Sequence, residues 1–128
     1  MGNSVYSADK TDAFTIVLGL LDGLQECIGL DKDIVDLAAK DMHAAIYKEK
    51  ALHPDVYESI KFNDDPTFPY SRQIEDALYE LQVCGFLTRP NPTMAKYRLV
   101  GVRSYAEKKI DRALRDELNA AAGRILND

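Results

Sequence analysis

The chain reads as a mainly helical α+β domain that carries one small β-hairpin. Three observations predict this class. Apolar residues recur at i, i+3, i+4 spacing along most of the sequence, whereas only one stretch, near residues 86–99, alternates in and out across a tight turn. At 128 residues there is material for one core and no second domain. Hydrophobic residues at 46% and charged residues at 29% fit an ordinary folded protein rather than a disordered one.

The first element spans about Asp9 to Ile28. Phe14, Val17, Leu18, Leu21, Leu24 and Ile28 recur at helical spacing there, and Asp12, Asp22, Gln25 and Glu26 fall elsewhere. Gly19 and Gly23, four apart, weaken this helix by about 1 kcal/mol each relative to alanine, so the pair reads as a close-packing feature. Gly29 supplies a stop. A second helix is expected over about Lys32–Lys50, with acids at its start and Ile34, Leu37, Ala38, Met42, Ala45 and Ile46 on one face. Pro54 marks a boundary, and residues 54–62 fit a helical turn through Val56, Tyr57 and Ile60 as well as a strand. The helical reading is preferred. "NDDPTFPY", Asn63–Tyr70, is a structured loop.

Ser71 is the expected cap of a helix over 71–84 whose inward residues are Ile74, Ala77, Leu78, Leu81 and Cys84, and Gly85 ends it. "FLTR" and "MAKYRLV" read as strands around the turn "PNPT", with Ala95, Tyr97 and Leu99 alternating against Lys96 and Arg98. Ser104 and Glu107 have the spacing of a capping box, which predicts one terminal helix over 103–127 with Ile110, Leu114, Leu118, Ala121 and Ile125 down one side. That side packs either on the first helices or on a second copy. Residues 1–8 are expected to be flexible, so the domain proper is a single unit within 1–128.

Several function classes are disfavoured. No apolar run reaches the roughly eighteen residues a bilayer crossing needs, and the amino terminus lacks the features of a secretory signal, so a cytoplasmic protein is expected. Cys27 and Cys84 lie in apolar contexts, 57 positions apart and without a CxxC, which predicts buried free thiols; with His43 and His53 lacking ligand-spaced partners, no metal is expected. No cofactor is expected either, because no glycine-rich phosphate loop follows a strand. Serine, cysteine and histidine form no nucleophile-and-base pattern, so the chain is not read as an enzyme.

The string "SRQIEDALYELQVCGFLTR", followed by "AKYRL", resembles the recognition helix and wing of winged-helix proteins of the PadR and MarR type. There a helix ending in Leu-x-x-x-Gly leads into a hairpin that closes on Tyr-x-Leu; here the positions are Leu81, Gly85, Phe86, Leu87, Tyr97 and Leu99. "TFPYS" is similar to the entry into the equivalent helix of small antitoxin-like proteins of the Panacea type, from which it departs at Phe68, where those proteins place glycine. The likeness covers about thirty-five residues. It implies a winged helix-turn-helix with additional amino- and carboxy-terminal helices: 71–100 as recognition-type helix plus wing, and 103–127 as the terminal helix.

Charge decides how that scaffold is read. Net charge is −5, and residues 1–62 hold six lysines against eleven acids, so no strong basic patch is evident. Outside its apolar face the 71–84 helix offers Arg72, Gln73, Glu75, Asp76, Tyr79, Glu80 and Gln82, three acids to one base. The expected function is therefore a non-catalytic regulatory module acting through protein–protein contacts, with a partner protein or with itself as a homodimer through the terminal helix. The alternative is a DNA-binding transcriptional regulator or antitoxin-like repressor using the 71–84 helix and the 86–100 wing. Ser71, Arg72 and Gln73 would then reach bases, and Arg89, Lys96 and Arg98 phosphates. Phe68 and Tyr70 are a candidate partner ledge, although an aromatic just before a helix start more often packs onto its first turn.

Overall fold

The computed structural model describes residues 12–36, 42–88 and 96–127. Within them the chain runs α1 (Ala13–Ile28), β1 (Ile34–Asp36), α2 (Met42–Leu52), α3 (Arg72–Val83), β2 (Leu87–Thr88), β3 (Lys96–Leu99), α4 (Val102–Lys109) and α5 (Arg112–Asn127). The protein is thus mainly helical with a small antiparallel sheet of order β1-β3-β2, in the expected α+β class. Residues 1–8, Arg89 and the "PNPT" turn lie outside the described residues.

Helix α1 is the axis of the core. Asp12 caps it, its side chain accepting the Thr15 amide at 2.9 Å, and Gly29 closes it at φ +117° with its N–H donated to Gln25 O. The sequence pattern predicts one apolar face, yet Ile16, Val17, Leu18, Leu20, Leu21 and Leu24 are all fully buried, while Phe14 and Ile28 are only partly so. The reason is that α1 contacts α3, α4, α5 and β1 and so has almost no solvent side. Gly19 and Gly23 face α5, where Leu118, Asn119 and Ala122 approach so closely that a Cβ would collide with them. Close packing is indeed their role.

Three expectations about elements are overturned. The helix anticipated over Lys32–Lys50 is instead a strand and a helix: Ile34 and Val35, both β-branched, pair with Arg98 and Tyr97, and α2 spans Met42–Leu52, while Leu37 and Ala38 of the anticipated face lie outside the described residues. Residues 54–59 are turns, neither helix nor strand. Val56 N donates to His53 O and Ile60 N to Tyr57 O, so Val56, Tyr57 and Ile60 reach the core from successive turns. The terminal helix is two helices. Gly101, at φ +68°, stands at the N-cap of α4, so Ser104 lies inside the helix rather than capping it. Ile110 is extended (φ −116°, ψ 132°) and buried, and this break lets α5 lie along α1.

The apolar side of α5 (Leu114, Leu118, Ala121, Ala122 and Ile125) is buried within the chain. The cysteines also differ from expectation: Cys27 and Cys84 are free but exposed, since Cys84 sits past the last inward turn of α3.

Among the described residues, α3 and the antiparallel pair β2–β3 stand where the sequence predicts a helix and two strands. Ile74, Ala77, Leu78 and Leu81 are buried, and the helix ends in a Schellman arrangement, with Gly85 N (φ +86°) donating to Gln82 O and Phe86 N to Leu81 O. Leu87 pairs with Leu99, Tyr97 and Leu99 point into the core, and Val100 N donates to Phe86 O at the hairpin base.

Two buried carboxylates fix the helices to one another. Asp22 on α1 has no solvent exposure; its Oδ1 accepts Arg103 Nε of α4 at 2.5 Å, and its Oδ2 accepts Arg115 Nε and Asn119 Nδ2 of α5 at 3.3 Å each. Burial opposes the charge on Arg103, but the hydrogen bonds it donates to Glu26 and Asp22 outweigh it and raise its pKa. Glu49 on α2 is the second hub, receiving Arg124 Nη2 of α5 at 2.8 Å and holding the Arg124 charge firmly in place. The Tyr57 hydroxyl is buried without a hydrogen-bond partner, and burial, reinforced by Glu49, pushes its pKa well up. No helix among the described residues is long and apolar enough to cross a membrane.

Candidate interaction surface around helix α3

The outer side of α3 begins at a buried junction. His43 of α2 is almost fully enclosed and uses both ring nitrogens: Nδ1 accepts the backbone N–H of Ser71 at 3.0 Å, and Nε2 lies 2.6 Å from Glu75 Oε2. Because Nδ1 is an acceptor, the ring proton sits on Nε2 and is donated to Glu75. Tyr70 stacks on the imidazole with ring centres 4.9 Å apart at 13°. Serine, histidine and glutamate meet here, but no nucleophile results. Ser71 offers His43 its amide rather than its hydroxyl, and Oγ is buried with no partner.

This junction changes the fate of the predicted contact residues. Ser71 is 1% exposed and cannot reach a ligand, and its side chain makes no cap bond. Gln73 is also engaged, its Nε2 donating to Ser59 O and its Oε1 accepting Lys61 N, both at 2.6 Å, so the amide ties the 57–61 turns to α3. Arg72 is 84% exposed but lies 3.6 Å from Asp76, and exposed Arg98 lies 3.5 Å from Asp33. Lys96 is half-buried on β3. Of the set, Ser71 is buried, Gln73 is half-buried and bonded to the neighbouring turns, Arg72 and Arg98 stand beside carboxylates, and Arg89 is outside the described residues.

Since Ser71 Oγ makes no bond, Ser71→Ala is expected to leave stability within about 0.5 kcal/mol of wild type, against the loss of about 1 kcal/mol typical of a working cap. Urea denaturation measures this. A fall of a full kilocalorie would mean that the hydroxyl does cap α3.

What remains outside is a stripe with a different chemistry. Arg72, Asp76, Tyr79, Glu80 and Val83 follow one another at helical spacing, and Tyr79 and Val83 are each 68% exposed. Arg72 is the only basic residue in α3. Val100, at the hairpin base, is also exposed. Beside the amino end of α3, Phe68 is 74% and Tyr70 46% exposed, so the ledge is open to solvent rather than packed as the position before a cap suggests. Tyr70 finds His43 instead, which the sequence offers no local signal for. Among the described residues no group of three or more side chains has a metal-binding arrangement. Comparison with protein-family models, with curated proteins and with solved structures finds no match.

Proposed function

We propose that the chain is a non-catalytic regulatory module that binds another protein through the outer stripe of α3, on a winged-helix scaffold formed by α2, α3 and the β2–β3 hairpin. The scaffold reading is supported by the uninterrupted passage from α3 through its Schellman close into an antiparallel hairpin. One observation carries the functional reading. The stripe that would enter a DNA groove presents Tyr79 and Val83 and two exposed carboxylates, Asp76 and Glu80, against the single cation Arg72. Phosphate would be repelled by those acids, whereas a protein surface is bound by half-exposed aromatic and aliphatic side chains.

A DNA-reading regulator is the alternative, and its support is the position of Arg72 in the first turn of α3 together with Arg98 on the hairpin. Binding to random duplex DNA separates the two. No detectable binding at low salt is expected, and tight binding that collapses as salt rises would overturn the proposal in favour of the alternative.

A further inference from the structure

The loop Asn63–Tyr70 is held open by its own hydrogen bonds. Asn63 binds across it three times: its amide N donates to Tyr70 O at 3.0 Å, its Oδ1 accepts Tyr70 N at 3.0 Å, and its Nδ2 donates to Phe68 O at 3.2 Å. Asp65 Oδ1 accepts Thr67 N at 3.0 Å and Phe68 N at 3.3 Å. Pro66 and Pro69 fix φ on both sides of Phe68, and Tyr70 is anchored on buried His43. A phenylalanine on a slack loop would fold back onto the nearest apolar surface. Here the backbone is fixed on both sides of the residue, and the ring is the most exposed of the large hydrophobic side chains described.

We infer that Phe68 is a preorganised anchor for a folded partner protein that offers an apolar, ring-sized pocket with a rim of lysine or arginine. The rim follows from charge. Between residues 54 and 70, Asp55, Glu58, Asp64 and Asp65 are exposed, against the single exposed cation Lys61. A partner with like charge would be excluded and a nucleic acid repelled, while a basic rim gains attraction without burying the acids. Because the loop is already ordered, association loses little conformational freedom, the condition under which one buried ring contributes most. This rests on the protein-binding reading above but uses a different surface, beside the amino end of α3 rather than along its stripe.

The test places a photo-crosslinking phenylalanine analogue at position 68, and separately at 79, in the full chain within its source cells. The expected result is one recurrent protein adduct at 68. That protein, purified, should bind the wild type with an affinity that falls as salt rises. Phe68→Ala should weaken it by roughly thirtyfold or more with unchanged thermal stability, and Asp55→Asn/Glu58→Gln/Asp64→Asn should flatten the salt dependence. An adduct only with a second copy or with nucleic acid, binding by Phe68→Ala within about threefold of wild type, or salt-independent affinity would overturn the inference. Adducts at 79 alone would overturn it and leave the α3 proposal standing; none at either position would remove both.

Discussion

Asp22→Ala is expected to destabilise the protein by about 3 kcal/mol, at the lower end of the loss seen when one partner of a buried ion pair is removed. The Asp22 carboxylate is wholly buried on α1 and accepts three hydrogen bonds, one from α4 and two from α5. Its removal leaves Arg103 and Arg115 without their shared anion and opens a small cavity between three helices. The loss stays at the low end because both arginines keep some contact with water and a second acid each, Glu26 and Glu107. Urea denaturation of the variant measures the effect, and repeating it in 0.5 M salt (roughly a 4 Å screening length) tests its origin. A buried pair is little screened, so the difference from wild type should persist. A loss under about 1 kcal/mol would mean that the cluster merely decorates the interface, as exposed pairs such as Arg72–Asp76 do.

The burial of Asp22 also shows where sequence reasoning runs out. Its partners lie 81, 93 and 97 positions away, so nothing local distinguishes it from a solvated acid such as Gln25's neighbour Glu26. The same holds for β1. The three-residue strand pairs with β3, some sixty positions on, and within "IVDLAA" the spacing of Ile34, Leu37 and Ala38 is that of a helix face. Likewise Ser104 and Glu107 have the spacing of a cap, but α4 starts earlier because the hairpin ends at Gly101 and its left-handed turn sets the start. Features encoded within a few residues were legible. Among them are the α3 face, the Gly85 stop, the alternation of Tyr97 and Leu99 and the buried side of α5.

At the candidate surface the division is the same. The excess of acid over base on α3 is a matter of composition and could be read directly. That Ser71 and Gln73 turn inward could not, because it depends on His43 and on the 57–61 turns, which reach α3 only through the fold. The exposure of Phe68 has a partial signal in hindsight. Asn63 and Asp65 precede a segment with two prolines, a composition suited to a loop that satisfies its own amides and has no need to borrow from the core.

Gly23→Val should cost about as much as loss of Asp22, about 3 kcal/mol, at the upper end of the range for overpacked interiors. A Cβ at Gly23 would sit 2.8 Å from the Asn119 Cα and 2.8 Å from the Ala122 Cβ, atoms that cannot rotate away, so α5 itself must move. At Gly19 the nearest atom is Leu118 Cδ1, the end of a side chain. Gly19→Ala can therefore offset much of its steric cost by the gain of about 1 kcal/mol in helix propensity. Moving α5 at Gly23 has a second consequence, because Asn119 and Arg115 on the same helix bind Asp22. Gly23→Val therefore weakens the ion cluster as well as the packing. Combined with Asp22→Ala it should cost less than the sum of the two single losses, by more than the roughly 0.5 kcal/mol within which independent sites add. Denaturation of the two single variants and the double measures the coupling, and strictly additive losses would show that packing and charge hold α1 and α5 together independently.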